Sequence, residues 1–540
     1  MAETALEATP TGTRTATAPP TGAPASATLV GTPAFAGSAG ETIPTEVSFR
    51  GERSGTAPLT WGQRAIWHAI RRTAPNDHYF NIGRVLPLAD RGRPATVAAT
   101  LDALARLIER HEALRTRLVP AADGEPAQCL AATGSLPVTI APATGLPEAA
   151  AEAQALLDGL SATRFDYPAE WPLRAALVTV GDRVTHAVLV LCHLAADGHA
   201  AEVLVRDLRL LVRRGSAGRP PATTPLDLAR DQHAERGRRR GAAALAHWEA
   251  GFRAAPPTMF PEPCAEPRSP RFWTGRIVSP ALARAVGAVA AAHGVSGSTV
   301  LLTASAALVA AGEGHRTAAV MPIVGNRTAE ALRDLVSTLS QDGLFVLDLA
   351  ASERKHDDGD GDGKGDGEGD GEGVGEGTGA ARFTDLLPAA HRAALRAYRA
   401  AVYDPVEWDA LGERLRTEYG SEVHPYCCFN DMRLVERPVS EGPRPTAREL
   451  AEELTEARRR TSFGFPATQD RVACRYCLHI TEEGDALAVS LTADTAYLPP
   501  EAIRAHLYAM EELIVTSAAG GPPLLAELRA LLETAEGDRP

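Results

Sequence analysis

Apolar positions recur at helical spacing in several parts of the chain. Val97, Leu101, Leu104 and Ile108 fall on one side of a predicted helix, which ends in the polar residues that follow. The same spacing predicts further helices through Leu204, Leu208 and Leu211, over residues 300–311, and through Ile503, Leu507, Met510 and Ile514.

A short continuous apolar run at residues 187–191 predicts a strand buried on both faces, and residues 318–324 and 344–349 are predicted to be strands as well. A loop, residues 192–198, separates the first of these strands from the helix through Leu204. Because helices and strands are mixed in both halves of the chain, the pattern predicts a mixed α/β (α+β) fold with two lobes.

Three segments lack this periodicity. Residues 1–55 are rich in Ala, Thr and Pro and are predicted to be a disordered arm; residues 355–380 contain a Gly/acidic run predicted to be a flexible insertion. The remaining boundaries place an N-lobe at 56–218, a C-lobe at 219–516 and a C-terminal tail at 517–540.

The cations are almost all arginine. Among 540 residues, of which 44% are hydrophobic, Lys355 and Lys364 are the two lysines in a total of 55 Lys plus Arg, and both lie in or beside the Gly/acidic run. A P-loop, a pyridoxal enzyme and a protein kinase each need a lysine in a folded segment, so these classes are excluded.

The charge pattern further narrows the class of protein. The net charge is −13, much of it from the Gly/acidic run, and no basic cluster suggests a nucleic-acid partner. No apolar stretch is long enough to predict a membrane span, and no signal peptide is evident. With seven cysteines, an odd number, the sequence predicts a cytoplasmic protein without a disulfide framework.

The loop from Cys192 to Gly198 has the composition of a catalytic loop. His193 can act as a general base towards an amine or hydroxyl, Asp197 can fix the loop through an arginine, and Gly198 permits close approach of the backbone. The alternative is a structural loop in which His193 only satisfies backbone groups.

Several motifs resemble, in order and spacing, those of the condensation domains of nonribosomal peptide synthetases. They are Leu59-Thr60-x-x-Gln63-x-x-x-Trp67, Arg110-His111-Glu112-Ala113-Leu114-Arg115-Thr116, Arg164-Phe165-Asp166 with Pro172-Leu173-Arg174, and His193-x-x-x-Asp197-Gly198. Gly325-Asn326-Arg327 and Phe429-Asn430-Asp431-Met432-Arg433 resemble segments of the family's C-lobe, so the likeness extends over about residues 56–516.

The resemblance implies two chloramphenicol acetyltransferase-like lobes that form a V-shaped pseudo-dimer with a central tunnel. It also implies an acyltransferase that joins a carrier-bound thioester to an amine, or to a hydroxyl, without cofactor, metal or ATP. Since no adenylation or carrier segment follows residue 516, we expect a free-standing enzyme. The donor is left open between a carrier protein, coenzyme A and an aminoacyl-tRNA.

The resemblance also implies roles for individual residues. His193 would position or deprotonate the acceptor, and the Gly198 N–H would stabilise the oxyanion. Asp197 would pair with Arg327, with Arg174 as the alternative partner. The remaining substrate-binding candidates are Asn430 and Trp67, although Trp67 is better explained as a packing anchor.

Two departures from the family pattern favour a different hypothesis. Cys192 stands where the first motif histidine is usual, and residues 336–342 replace the family's Phe-Val-Asn-Thr stretch. A catalytically inactive module that recruits a carrier protein or a tailoring enzyme is therefore the alternative function. A Cys192–His193 nucleophilic dyad is disfavoured, because neighbouring residues at a strand end point to opposite faces.

Two segments have residues that suggest a metal site, and each also has a structural explanation. The acidic run imitates the start of a calcium loop but has Gly369 where a bidentate glutamate is required. Cys474 and Cys477 with Cys427 and Cys428 suggest zinc, although adjacent cysteines fit a tetrahedral site poorly. Buried core thiols are the preferred interpretation of these cysteines.

Deletion of residues 357–377 tests the predicted insertion. A Gly/acidic run has too few apolar side chains to form a core, so we expect the melting temperature and the activity to remain nearly unchanged. Thermal denaturation and product analysis measure the two quantities. Loss of soluble protein on deletion would show that the segment is structural.

Overall fold

The strands form three sheets in the structure, a computed structural model that describes residues 41–88, 95–121, 124–350, 381–433, 446–472 and 474–537. In the N-terminal half the strands are β1 (Ile43–Arg50), β2 (Gly55–Pro58), β3 (Ile82–Pro87), β4 (Thr116–Pro120), β5 (Pro126–Leu130), β6 (Thr133–Ala143), β7 (Leu173–Val180) and β8 (Arg183–Leu191). The helices of this half are α1 (Trp61–Thr73), α2 (Val97–Arg110), α3 (Leu146–Ser161) and α4 (Gly198–Arg214).

The C-terminal half follows the same mixed pattern. Its strands are β9 (Phe272–Ser279), β10 (Thr317–Val324), β11 (Gln341–Asp342), β12 (Phe345–Asp348), β13 (Cys427–Asp431), β14 (Ser462–Gln469), β15 (Tyr476–Glu483) and β16 (Ala486–Asp494). Its helices are α5 (Pro225–His233), α6 (Glu235–Ala254), α7 (Pro280–His293), α8 (Gly297–Glu313), α9 (Glu330–Arg333), α10 (Leu387–Arg399), α11 (Pro405–Tyr419), α12 (Ala447–Arg458), α13 (Pro500–Ala518) and α14 (Leu528–Gly537). The predicted mixed α/β class is confirmed.

The five-stranded sheet of the N-terminal half, in the order β1-β6-β7-β8-β3, is covered on both faces. Leu189 and Leu191 of β8 point into the core formed with α2 and α4, whereas Val188 points into a second cluster with α3. This confirms the predicted strand at 187–191, since a strand packed on both faces needs a continuous apolar run. A separate sheet, β2-β5-β4, completes this half.

The eight-stranded sheet of the C-terminal half has one apolar and one polar face. It runs β11-β10-β13-β15-β16-β9-β14, with β12 also paired to β10. Side chains such as Phe429 and Leu478 pack into the core with α7, α8 and α13. The opposite face is called the polar face; by the strand register it carries Asp342, Cys428, Asn430, His479, Ser490 and Thr492.

The arginine- and histidine-containing motif at residues 110–116 is part of the scaffold. Asp207 of α4 is fully buried and accepts hydrogen bonds from Arg110 at 2.7 Å and Arg206 at 2.9 Å, while His111 lies 3.0 Å away. Although burial acts to raise it, these partners lower the pKa of Asp207 to about 2. Arg115 donates to the carbonyls of Arg53 and Ala131 and so connects the motif to the rest of this half.

Both predicted terminal boundaries need correction. The arm predicted at 1–55 includes β1 and the start of β2, because Val47 and Phe49 alternate into the core of the N-terminal half. The tail predicted at 517–540 includes α14, whose Leu528 and Leu532 are buried against the C-terminal core. Residues 1–40 and the insertion predicted at 355–380 lie outside the described residues.

The cysteines also differ from the prediction. Cys474 and Cys477 form a disulfide at the start of β15, whereas the sequence predicts buried free thiols there. The two residues are three positions apart and their Cα atoms are 6.1 Å apart, a local pairing that composition alone does not indicate.

No single described helix is both long and apolar enough to cross a membrane. The consecutive helices α7 and α8 meet that criterion only as a pair, with a bend of 103° between them.

Replacement of Asp207 by asparagine tests the buried cluster. The charge that compensates Arg110 and Arg206 is lost, so we expect the free energy of unfolding to fall by about 3 kcal/mol. Urea denaturation at neutral pH measures it. Asp102→Asn is the matched control: Asp102 is exposed and pairs with Arg106 at 3.8 Å, so its loss should cost less than about 0.5 kcal/mol. Equal stability of the two variants would contradict the scaffold role.

Candidate active site

The loop that joins β8 to α4 is held by its own backbone. The N–H of Cys192 donates to the carbonyl of Pro172 at 3.0 Å, and the N–H of Ala195 donates to the carbonyl of Cys192 at 2.9 Å. Asp197 is the N-cap of α4 and accepts from the N–H of Ala200 at 2.9 Å. These hydrogen bonds all lie within the N-terminal half, and they fix the loop at both ends.

Asp197 also connects this loop to the C-terminal half. Its Oδ2 accepts from Arg327 Nη1 at 2.7 Å, from the N–H of Leu339 at 3.0 Å and from the N–H of Ser340 at 3.3 Å. The two side chains are only 5% and 7% exposed. Every contact to Oδ2 is a hydrogen-bond donor and one is a cation, so the buried carboxylate has the partners that its burial requires.

Residues 336–340 cross from the C-terminal half over the loop; this stretch is called the crossing segment. Val336 is buried in the core of the N-terminal half. Arg327 Nη2 donates to the carbonyl of Ser337 at 3.0 Å. A Cβ at Gly62 of α1 would lie 2.4 Å from the carbonyl oxygen of Thr338, so glycine is needed for this close approach.

His193 is paired with the crossing segment. The Thr338 hydroxyl donates to the His193 carbonyl, and its oxygen lies 3.4 Å from His193 Nδ1. With its proton used in this way, the hydroxyl can only accept from Nδ1, so we assign the imidazole proton to Nδ1 and the basic lone pair to Nε2. Burial lowers the pKa of His193, although the backbone carbonyls of His193 and Ala196 act in the opposite direction. The ring is thereby kept neutral, as a general base requires.

Cys192 faces away from this arrangement. It is buried in an apolar cluster with Leu59, Phe165 and Leu194, next to a cavity of about 20 Å³. Burial raises the pKa of the Cys192 thiol to about 12. A thiol that stays protonated in an apolar cluster is a poor nucleophile, which argues against the Cys192–His193 dyad.

Gly198 is exposed at the first turn of α4. A Cβ at this position would meet no atom within 4 Å, so there is open space beside its backbone. The N-terminus of a helix presents N–H groups to its surroundings and favours negative charge. These properties suit the oxyanion role that was predicted for the Gly198 N–H.

The structure separates the remaining predicted residues. Asn430 lies in β13 on the polar face, opposite His479 of β15. Trp67 packs edge-on against Tyr167, with 5.4 Å between the ring centroids, at the border of the apolar cluster around Cys192. Trp67 is therefore a packing residue of the N-terminal half, in agreement with the packing interpretation of this tryptophan.

Arg174 is not the partner of Asp197. It forms an ion pair with Glu170 at 2.6 Å and donates to the carbonyls of Leu160, Thr163 and Arg164. Its guanidinium also lies 3.9 Å from the centre of the Phe165 ring. Its role is to hold the loop before β7, so the predicted alternative pairing is wrong.

Sequence reasoning missed two residues beside His193. Thr338 lies in the stretch that was singled out only for departing from the family pattern. Phe80 packs its ring 6.3 Å from the His193 ring, and Tyr79 lies beside Phe80 and near Cys428 of the polar face. Neither Thr338 nor Phe80 belongs to one of the motifs, so only their tertiary contacts with His193 identify them.

Comparison with known proteins agrees with this geometry. The sequence model of one family, described as Condensation domain, matches residues 53–350. Phosphinothricin tripeptide synthetase PhsC of Streptomyces viridochromogenes is 31% identical over 316 residues, which are 56% of this chain and 28% of the synthetase. The isonitrile lipopeptide synthase of Mycobacterium tuberculosis is 35% identical over 179 residues, 32% of this chain and 7% of the synthase. The chain thus spans about a quarter or less of these relatives.

Solved structures share the fold at low sequence identity. The first condensation domain of the calcium-dependent antibiotic synthetase, in complex with a substrate analogue, aligns with a TM-score of 0.59 at 17% identity and covers 88% of this chain and 99% of that one. The condensation domain of Monacolin K polyketide synthase MokA has a TM-score of 0.63 at 16% identity, covering 87% and 99%. The fold implied by the motifs is confirmed.

Replacement of Asp197 by alanine tests the connection between the halves. The variant leaves the buried Arg327 guanidinium without its carboxylate, so we expect the free energy of unfolding to fall by about 3 kcal/mol or more. Urea denaturation measures the change. Glu330→Gln is the control, because Glu330 is an exposed acid of the C-terminal half that follows Arg327 closely in the chain. An Asp197→Ala protein as stable as the parent, altered only in turnover, would contradict this architectural role.

Proposed function

Because the chain belongs to the condensation-domain family, we propose that it joins a thioester-bound acyl or aminoacyl donor to an amine acceptor. The observation that carries this proposal is the neutral His193, whose Nδ1 lies against Thr338, on the same short loop that ends at the exposed Gly198. A thioester already provides an activated carbonyl, so orientation and proton transfer are the tasks left to the protein.

The residues support a defined sequence of steps. The acceptor nitrogen attacks the thioester carbonyl carbon, and the carbonyl oxygen gains negative charge next to the Gly198 N–H. His193 Nε2 accepts the proton that the nitrogen loses and returns it to the departing sulfur. The C–N bond forms and the C–S bond breaks, and the products are an amide and a free thiol.

The donor is proposed to arrive on the phosphopantetheine arm of a carrier protein. Support comes from the relatives, which are peptide synthetases by name. Coenzyme A is the second donor to test, since the starter condensation domain of rhizomide synthetase was solved in complex with C8-CoA. Both donors present the same thioester chemistry to His193.

Replacement of His193 by alanine tests the proposed reaction. Loss of a general base or positioning group lowers rates by ~10² to 10⁴. We expect the parent to form an amide from synthetic acyl thioesters and a panel of amines, and His193→Ala to lose that product. Mass spectrometry detects it. Cys192→Ser is the matched control and should retain most of the activity, because Cys192 faces the apolar cluster.

Two results would contradict the proposal. If the parent and His193→Ala bind a carrier protein equally and neither forms product, the recruiting-module alternative is favoured. If Cys192→Ser is the inactive variant and an acyl group is trapped on Cys192 of the parent, the protein is a cysteine acyltransferase.

A further inference from the structure

The polar face of the eight-stranded sheet contains an acid that the proposed reaction does not use. Asp342 belongs to β11 and pairs with Ile323 of β10, and Met321, two residues earlier on β10, pairs with Cys428 of β13. Since paired residues and alternate residues of a strand share a face, Asp342 lies on the same face as Cys428 and Asn430.

Asp342 is also connected to His193 through the chain. Ser340 and Asp342 are partly exposed and alternate with Leu339 and Gln341, which are buried, as is Thr338. Gln341 is held on that buried side by a hydrogen bond to the carbonyl of Tyr403 at 2.9 Å. Thr338 contacts His193, and four residues of extended chain span at most about 14 Å. The Asp342 carboxylate is thus within reach of a substrate that occupies His193.

The charge of Asp342 is only partly compensated by the residues that the structure describes. Among the described residues, none donates a hydrogen bond to its carboxylate or forms an ion pair with it, and the side chain is half-buried. Burial raises the pKa of Asp342 to about 6, and the positive charge of Arg72 at the end of α1 offsets this only in part. The neighbours Tyr403 and Cys428 are uncharged, because burial raises the pKa of both side chains.

We infer that Asp342 binds a positively charged group, an ammonium or guanidinium, of the substrate that reacts at His193. This inference rests on the proposed function and names the class of substrate that it takes. A cationic substrate group stabilises an ionised, half-buried carboxylate, whereas an uncharged group of the same shape leaves the carboxylate without a counter-charge. Charge at this point of the substrate is therefore the property that Asp342 selects.

The cation can belong to either substrate, and the experiment separates the two sources. The acceptor arm compares L-arginine amide with L-citrulline amide, which are nearly isosteric and differ in charge. The donor arm compares the N-acetylcysteamine thioesters of Nα-acetyl-arginine and Nα-acetyl-citrulline. Dissociation constants are measured by calorimetry with the full-length protein and no second substrate, so that binding is separated from acyl transfer.

The wild-type protein is expected to bind the arginine probe of one arm about tenfold or more tightly than its citrulline counterpart. Asp342→Asn should abolish this preference by weakening the arginine probe alone, and Asp342→Glu should retain it. Asp231→Asn is the matched control, because Asp231 is an exposed acid on α5 and should leave the preference unchanged.

The inference is overturned if the wild type binds both probes equally in both arms, if it binds neither arginine probe at millimolar concentration, or if Asp342→Asn keeps the preference. The wild-type comparison needs no variant, so a poorly folded Asp342→Asn protein does not remove the test. Failure here with intact acyl transfer leaves the proposed function standing. A charge preference without any acyl transfer leaves the inference standing and contradicts the proposed function.

Discussion

The site depends on one buried carboxylate, Asp197, which caps a helix of the N-terminal half and also binds the C-terminal half. Its Oδ1 caps α4, while its Oδ2 accepts from Arg327 and from two N–H groups of the chain after Val336. Burying a carboxylate and a guanidinium is costly, and the cost is offset only when nearly all of their hydrogen bonds are made. That requirement places the crossing segment directly over the loop between β8 and α4, and with it the Thr338 hydroxyl next to His193.

The second constraint is the two-sided character of the eight-stranded sheet. One face is packed against α7, α8 and α13 and must be apolar, whereas the other carries asparagine, histidine, threonine and an acid. A sheet packed on one side alternates apolar and polar side chains along each strand. The alternation gives the protein a wall of polar side chains, and Asn430 and Asp342 lie on it at different strands.

Much of the fold was predictable because long periodic segments leave little choice of structure. The helices at 97–110 and 198–214 and the strand at 183–191 agree with their apolar patterns. The strand β1 was missed although Val47 and Phe49 alternate with polar residues, since it lies next to a Pro- and Thr-rich segment that dominated the local composition. The pairing of Asp197 with Arg327 was available only through the family resemblance, because 130 residues separate the partners. No local sequence pattern identifies Thr338, Phe80 or Asp342 as site residues. Their positions depend on tertiary contacts of the crossing segment and on the register of the sheet, which bring together residues that are far apart in the sequence.

The replacement of the first motif histidine by Cys192 has a physical explanation in the alternation of β8. Leu189 and Leu191 point towards α2 and α4, whereas Val188, Val190 and Cys192 point to the other side, where the chain packs against α1, α3 and Phe165. Position 192 therefore needs a side chain that tolerates an apolar cluster, and a buried cysteine thiol does so. His193 follows the strand end and turns towards the crossing segment, where the hydroxyl of Thr338 fixes its tautomer. The two adjacent residues thus serve different environments, and a change at the first leaves the geometry of the second intact.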